Sequence, residues 1–320
     1  MLRECIDSVL AQQGVGMIEI LVHDDASTDE SLALLHDAYP QIRLLPSPSN
    51  VGFCVANNRM VAQARGDFVL LLNNDAALLP GALQTLLDAA RQRAAPAVFT
   101  LPQFDWRSGE LVDRGCLLDP FYNPVPNLDP ERSEVAMAIG ACLFLPRALW
   151  HELGGFPEWM ESIGEDMYLC CTARLRGHAV MALSSSGYRH RRGASFSGER
   201  SDANTLMSSF RRRRLSERNK TAALIVCTPT PLTWPLLMVH AILLAFEGIA
   251  MSATRWNLRI WREIYAPALA GTCLPSRALR QRRRGMQAMR LIGLRAYFHG
   301  FDWMPYKLRM LLRHGIPEVR

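Results

Sequence analysis

The sequence predicts an α/β fold, a mostly parallel sheet flanked by helices, with a mainly helical C-terminal extension. Three observations predict it. Apolar strand-length runs alternate with helix-length segments from Ile18 to Arg93. Polar clusters rich in Asp and Asn follow two of those runs directly, at the carboxyl ends where a parallel sheet binds its ligands. From about residue 205 the composition shifts toward Arg and long apolar stretches. A chain of 320 residues has room for one large domain and an appendage. The shift sets the expected boundary: residues 1–205 for the α/β domain, 206–320 for a helical, basic region.

The elements follow in order. Leu2 to Leu10 reads as an amphipathic helix, with apolar residues at 2, 5, 6, 9 and 10. No strand stands before it, so the sequence is expected to begin one element later than an α/β domain usually does. Ile18–Val22 is a short strand run, and Ser27 and Thr28 are expected to cap the helix Ser31–Tyr39. Ile42–Leu45 is a second strand run and Gly52–Ala64 a helix. Phe68–Leu72 is continuously apolar, the pattern of a strand covered on both faces. Pro80–Arg93 reads as a helix, with Pro80 near its first turn. Residues 104–134, rich in Pro, Asp and Asn, read as an irregular lid or acceptor-side loop. Ala138–Leu145 returns to a strand pattern and Arg147–Leu153 to a helix stopped by Gly154-Gly155. Glu165–Arg176 opens with two acids and closes with Arg174 and Arg176, matching the helix dipole.

Pro231–Ala253 is the longest apolar stretch, interrupted by His240 and Glu247. Its uninterrupted runs are short for a bilayer span. Flanked by Trp234, Trp256 and Arg runs, residues 232–253 read as an interfacial helix, with a buried helix as the alternative. The net charge of +6 concentrates in Arg211–Arg214 and in Arg280 with Arg282–Arg284. Such runs suit a membrane surface or a phosphate-bearing substrate, or simply form solvated faces. No aromatic-interleaved basic groove accompanies them, so nucleic acid is not expected as a partner. The eight cysteines form no pair of CxxC motifs, which argues against a zinc ribbon. Most lie in apolar runs, and no secretory signal opens the sequence, so a reducing, cytoplasmic setting is expected.

Asp24-Asp25 and Asp75 fall at strand ends, which makes them candidate ligand-binding residues; Asn73-Asn74-Asp75 also has the composition of a plain polar turn. Order then adds information. Asp24 to Asp29 (DDASTD) resembles the DDGSTD segment of family 2 glycosyltransferases, and Asn50 to Asn58 resembles their NxGFxxANN stretch. Gly66 to Asp75 resembles GDYxLxLNxD, whose tail is a DxD-type metal motif. Gly154 to Glu158 followed by Gly164 to Cys170 resembles GGFDE…EDxDLC. Four weak matches in the family's order cover about residues 1–195.

The resemblance, closest to a rhamnosyltransferase-like subgroup, implies a GT-A fold with a Rossmann-like sheet and inversion at the anomeric carbon. It implies that Asp24, Asp25, Asn50, Gly52, Asn57, Asn58 and Asn73 hold the nucleotide-sugar, and that Asp75 binds Mg2+ or Mn2+, with His190 completing the metal or diphosphate site. Asp166 is the expected catalytic base with Glu165 beside it, although acids at a helix N-terminus also serve as caps. Arg189, Arg191 and Arg192 are alternative diphosphate ligands. The sequence departs from the family at three points: no PTYN-ended first strand, Ala26 in place of Gly, and Asn73 in place of the first Asp of the metal motif.

The implied chemistry is metal-dependent transfer of a sugar from a nucleotide-diphosphate donor, dTDP-rhamnose or a UDP-sugar. The acceptor hydroxyl belongs to a cell-surface polysaccharide or a lipid-linked glycan. Ser216-Glu217-Arg218-Asn219-Lys220 resembles a segment of the same subgroup that precedes an apolar C-terminal region. That places the enzyme on the inner face of the plasma membrane. The competing expectation is a catalytically inactive homologue that serves as a membrane-bound partner in glycan assembly.

Overall fold

The computed structural model describes residues 1–191, 200–202, 205–314 and 318–319. In order, α1 (Leu2–Leu10) is followed by β1 (Leu21–Asp24), α2 (Ser31–Ala38), β2 (Arg43–Pro46), α3 (Phe53–Gln63), β3 (Phe68–Leu72), β4 (Ala76–Leu78) and α4 (Ala82–Gln92). Then come β5 (Ala97–Thr100), β6 (Gln103–Asp105), β7 (Leu111–Asp113), β8 (Cys116–Leu118), β9 (Pro124–Pro126), β10 (Cys142–Pro146) and α5 (Arg147–Leu153). A 3-10 turn at Glu158–Met160 leads to α6 (Glu165–Leu175), β11 (Ala179–Ala182) and β12 (Tyr188–His190).

The central sheet has the order β11-β5-β10-β3. β11 is parallel to β5, and β10 runs antiparallel to both β5 and β3. β1 and β2 form a separate parallel pair, and β4-β12-β6-β7 form a further sheet. The apolar character of Phe68–Leu72 explains its place. Val69 and Leu71 enter one large core with Leu143, Leu145 and Trp150. Phe68, Leu70 and Leu72 pack on the other face, where Phe68 stacks on Phe144 at 5.4 Å between ring centroids.

Two expectations are corrected. Ser27 and Thr28 do not cap α2: its first residue, Ser31, donates its N–H to the Asp29 carboxylate at 3.0 Å, since Asp29 lies two residues ahead in an Asx geometry. Residues 104–134 are not an irregular lid: residues 115–123 are buried, and Val112, Asp119 and Phe121 border the cavity. The segment carries β7 to β9, and Tyr122 is fully buried, its hydroxyl 2.8 Å from that of Tyr297 and 3.0 Å from Thr228. Asp119 fixes the turn before it by accepting the N–H groups of Phe121 and Asn123. A Pro- and Asn-rich composition marked turns but concealed the apolar residues between them.

Beyond the short strands β13 (Arg200–Asp202) and β14 (Thr205–Ser208), the chain is helical: α7 (Phe210–Cys227), α8 (Thr233–Thr254), α9 (Leu258–Ile260), a π turn at Trp261–Tyr265, α10 (Ala266–Cys273), α11 (Arg277–Ala288), α12 (Leu294–Phe298) and α13 (Tyr306–His314). The last residues of α7 (Leu224 to Cys227), together with Tyr297 and Phe298, join the same core as β10 and α5. A buried ion cluster ties α7, α8 and α13 together. The Glu217 carboxylate receives Lys307 at 2.8 Å, Lys220 at 3.2 Å and Arg213 at 3.4 Å, and Glu247 receives Lys307 at 2.6 Å and Arg213.

Candidate active site

The site assembles where strands end. Asp24 closes β1, and its carboxylate accepts the Ser27 N–H at 3.3 Å. Asp25 accepts the N–H groups of Val51 at 2.6 Å and Gly52 at 2.9 Å, tying the turn after β2 to the end of β1. Gly52 can start α3 there because its φ of 85° suits glycine alone. Ala26 stands at φ 61°, so the family's glycine is replaced by a residue held in a left-handed conformation.

Asp75 follows β3 and is buried. Antiparallel pairing of β12 with β4 sets His190 opposite Ala76, one residue beyond Asp75. As a result His190 Nε2 lies 3.1 Å from Asp75 Oδ1. This pair supplies two donors. Among the described residues, no group of three or more His, Cys, Asp and Glu side chains gathers as a metal cage. Two donors fit a hard divalent cation that completes its shell with diphosphate oxygens and water.

Gly164, at φ 92°, turns the chain into α6 and sets Glu165 and Asp166 on its first turn. Asp166 Oδ2 accepts the Gly140 N–H at 2.9 Å, and Oδ1 accepts the Met167 N–H at 2.7 Å. Glu165 Oε2 has no hydrogen-bond partner among the described residues. Burial pushes both carboxyls above their ordinary range, and the Asp166 charge raises Glu165 further. At Asp166 the two N–H donors offset part of that rise. The pair is therefore split: Asp166 is the more readily ionised, Glu165 the better proton holder.

Asp24, Asp25, Asn50, Gly52, Asn57, Asn73, Asp75, Glu165, Asp166 and His190 all line one cavity of about 1730 Å³. Asn58 does not line it. Its amide donates to the Phe156 carbonyl at 2.9 Å and accepts the Phe156 N–H at 2.9 Å, fixing the Gly154-Gly155 turn against α3. Asn57 donates to Phe53 within the helix. Arg191 pairs with Glu4 at 2.7 Å and lies over the Trp106 ring, Arg189 is exposed, and Arg192 lies outside the described residues.

Two further residues were not singled out from sequence. Arg212, from the first turn of α7, lines the cavity, and its charge lowers both Glu165 and Asp166. Its Arg run suited a membrane surface, a phosphate-bearing substrate or a solvated face, and sequence did not set Arg212 apart from its neighbours. Asn219 Nδ2 lies within 2.9 Å of the carbonyl oxygens of Met160, Ser162 and Ile163, gripping the loop that delivers α6. Its only sequence signal was the Glu217-Arg218-Asn219 triplet.

Residues 1–153 match the sequence family described as Glycosyl transferase family 2. An N-acetylglucosaminyl-diphospho-decaprenol L-rhamnosyltransferase of Mycobacterium tuberculosis is 29% identical over 182 residues, covering 48% of this chain and 59% of that relative. An Escherichia coli chondroitin synthase is 31% identical over 170 residues, 52% of this chain and 24% of the synthase. The chain thus spans less than two thirds of the curated relatives it matches here. Two solved structures share the fold. S. aureus TarS 1-349, in complex with UDP-GlcNAc, gives a TM-score of 0.51 at 17% identity over 90% of this chain and 86% of that one. The Pyrobaculum calidifontis mannosyltransferase PcManGT, in complex with GDP-Man and Mn2+, gives 0.50 at 17% identity over 92% and 81%. Residues 1–153 thus match glycosyltransferase family 2, and the motifs they carry are gathered on a GT-A-like fold.

Proposed function

We propose that the chain transfers a sugar, with inversion, from a nucleotide-diphosphate donor to a hydroxyl of a cell-surface polysaccharide or lipid-linked glycan. The observation that carries this is the convergence of Asp24, the Asp75–His190 pair and the Glu165–Asp166 pair on one cavity. Asp24, Asp25, Asn50, Gly52, Asn57 and Asn73 border the donor nucleotide, and Asn58 serves by holding the neighbouring turn. Asp75 and His190 hold Mg2+ or Mn2+, which neutralises the leaving diphosphate when bound. Asp166, whose carboxylate accepts two N–H groups, takes the proton from the acceptor hydroxyl; Glu165 tunes it. The donor is dTDP-rhamnose or a UDP-sugar, a reading supported by the rhamnosyltransferase relative and by the UDP-GlcNAc held by TarS.

The enzyme works from the cytoplasmic face of a membrane, and α8 supports that reading. It is the one described helix long and apolar enough to cross a bilayer, with a mean hydropathy of 1.9. Its inner face is packed through Leu237, His240, Leu244 and Met251, and its outer face presents Met238, Ile242, Phe246 and Ile249, each at least half exposed. Arg211 and Arg214, on the first turns of α7, are exposed and suit an anionic surface.

The test is calorimetric titration of UDP and dTDP with and without Mn2+, alongside Asp75→Ala. Metal-dependent binding that the variant loses supports the reading; metal-independent binding by both sinks the metal assignment.

A further inference from the structure

The cavity that holds the acid pair extends well beyond it, along α7. Arg212, Ser216 and Lys220 line it at steps of four residues, so they form one stripe running about 12 Å along the helix. At one end of the stripe the Arg212 charge acts on both Glu165 and Asp166. The other end meets the ion cluster, where Lys220 and Lys307 converge on Glu217 and Lys307 also reaches Glu247. That cluster ties α7 to α8 and α13, and these two helices supply the next part of the cavity wall.

Past the cluster the walls are apolar. Leu243, Phe246 and Ala250 of α8 line the cavity at steps of three and four residues, and Leu308 and Leu311 of α13 line it three residues apart. None of the three large side chains nearest the outside is core: Phe246 is 70% exposed, Leu308 53% and Leu311 46%. The core-facing residues of α8 are others, Leu244 and Met251, which pack with Ile260 and Tyr265. The apolar arm is therefore open at its outer end, beside the exposed stripe of Ile242, Phe246 and Ile249. Arg212 stands where the arm joins the acid pair. Its guanidinium has no hydrogen-bond or ion-pair partner among the described residues, whereas that of Arg213 is held by Glu217 and Glu247. A guanidinium with its donors unused on a cavity wall suits an incoming phosphate.

We propose that the acceptor is a lipid phosphate bearing the glycan, with its hydrocarbon chain between α8 and α13, its phosphate on Arg212 and its sugar hydroxyl at Asp166. This rests on the transfer reading above and narrows it to one of the two acceptor classes. A free polysaccharide has no use for an apolar arm, which it would leave bare to water. A lipid phosphate matches the cavity's order: a proton acceptor, then an unpaired cation, then an apolar channel. The open end adjoins the outer stripe of α8, so the chain enters sideways from a membrane on which that stripe rests.

The probe is farnesyl phosphate, titrated calorimetrically into the 320-residue chain, once in EDTA and once with saturating UDP and Mn2+. The EDTA titration leaves the Asp75–His190 pair unused, so the lipid site is judged apart from the donor reading. Farnesyl phosphate should bind in both conditions, and farnesol and inorganic phosphate should each bind at least about tenfold more weakly. Arg212→Gln, and separately Leu308→Asp with Leu311→Asp, should each weaken farnesyl phosphate by about tenfold or more. Both leucines are exposed, and Phe246→Ser on the opposite wall should reproduce their loss, which guards against a folding defect in either variant. Lipid binding without UDP binding would keep the lipid site and sink the donor reading. No binding of farnesyl phosphate, equal binding of farnesol, displacement by UDP with Mn2+, or indifference to all these variants overturns the proposal. So does binding to phosphatidylglycerol vesicles alone that the leucine variant abolishes, which would make the arm part of a membrane-facing surface. A dimer that the same variant dissociates, with no farnesyl phosphate bound, would give the arm to a second copy and also overturn it.

Discussion

His190 Nε2 lies 3.1 Å from Asp75 Oδ1, a contact between residues 115 apart that antiparallel pairing of β12 with β4 creates. If this pair holds the divalent cation, the two partners should fail differently. Asp75→Ala should remove Mn2+-dependent UDP or dTDP binding and transfer together. His190→Ala should retain both, weakened by about 10–100-fold in metal affinity, because Asp75 and the diphosphate still serve as ligands. Manganese titrations of the two variants check this, and equal behaviour would show that His190 only braces Asp75.

The acid pair predicts a split by role. If Asp166 is the base proposed above, Asp166→Asn keeps the size and loses the proton acceptor, so kcat should fall by about 10²–10⁴-fold with donor affinity nearly unchanged. Single-turnover transfer and nucleotide titration separate the two quantities. A variant that loses donor affinity and keeps kcat would place Asp166 with the nucleotide instead.

Glu165 is read through stability. Burial, then the Asp166 charge, raises its carboxyl in the folded chain above its ordinary value near 4.5. The folded state therefore holds a proton that the unfolded state releases, and stability falls as pH rises above that value. Glu165→Gln should flatten this slope, seen as a smaller loss of Tm between acidic and alkaline buffers. An unchanged slope would show that the carboxyl is not held neutral.

Glu217 predicts the opposite dependence. Burial pushes its carboxyl up, but the charges of Lys220, Lys307 and Arg213 outweigh burial and hold it well below 4.5. Its contribution is present above that value and is lost as pH falls through the folded pKa. Glu217→Gln leaves three cations with one fewer anion in a buried setting, and should cost about 3–5 kcal/mol in urea unfolding. A loss under about 1 kcal/mol would mean that the cluster is hydrated and weak.

Asn219→Ala should cost about 1–3 kcal/mol, since it takes the amide donor from the Ser162 and Ile163 carbonyls. It should also lower kcat more than it raises KM, because the loop it grips delivers Glu165 and Asp166. Asn219→Asp, which removes the donor and keeps the shape, should behave likewise; normal kcat in both would reduce Asn219 to a packing role.

The sequence by itself determined the local elements and the order of the motifs. Phe68–Leu72 and Arg147–Leu153 form as their patterns predict, because continuous apolar character and a Gly-Gly stop act within a few residues. It also determined that acidic residues stand at strand ends and at the start of α6, since each follows its own element. Tertiary structure decided which of them meet. Asn57 and Asn58 look alike in sequence, but a turn of helix α3 sends Asn57 to the cavity wall and Asn58 to the Phe156 turn. His240 and Glu247 break the apolar run in sequence without breaking the outer face of α8. His240 turns inward to Thr221 at 2.9 Å, and Glu247 joins the ion cluster with Lys307 and Arg213. Arg212 is brought to the cavity wall near both Glu165 and Asp166, which the run of four arginines does not reveal. These outcomes depend on contacts between residues far apart in the chain, and local pattern carries no record of which distant side chain closes each pair.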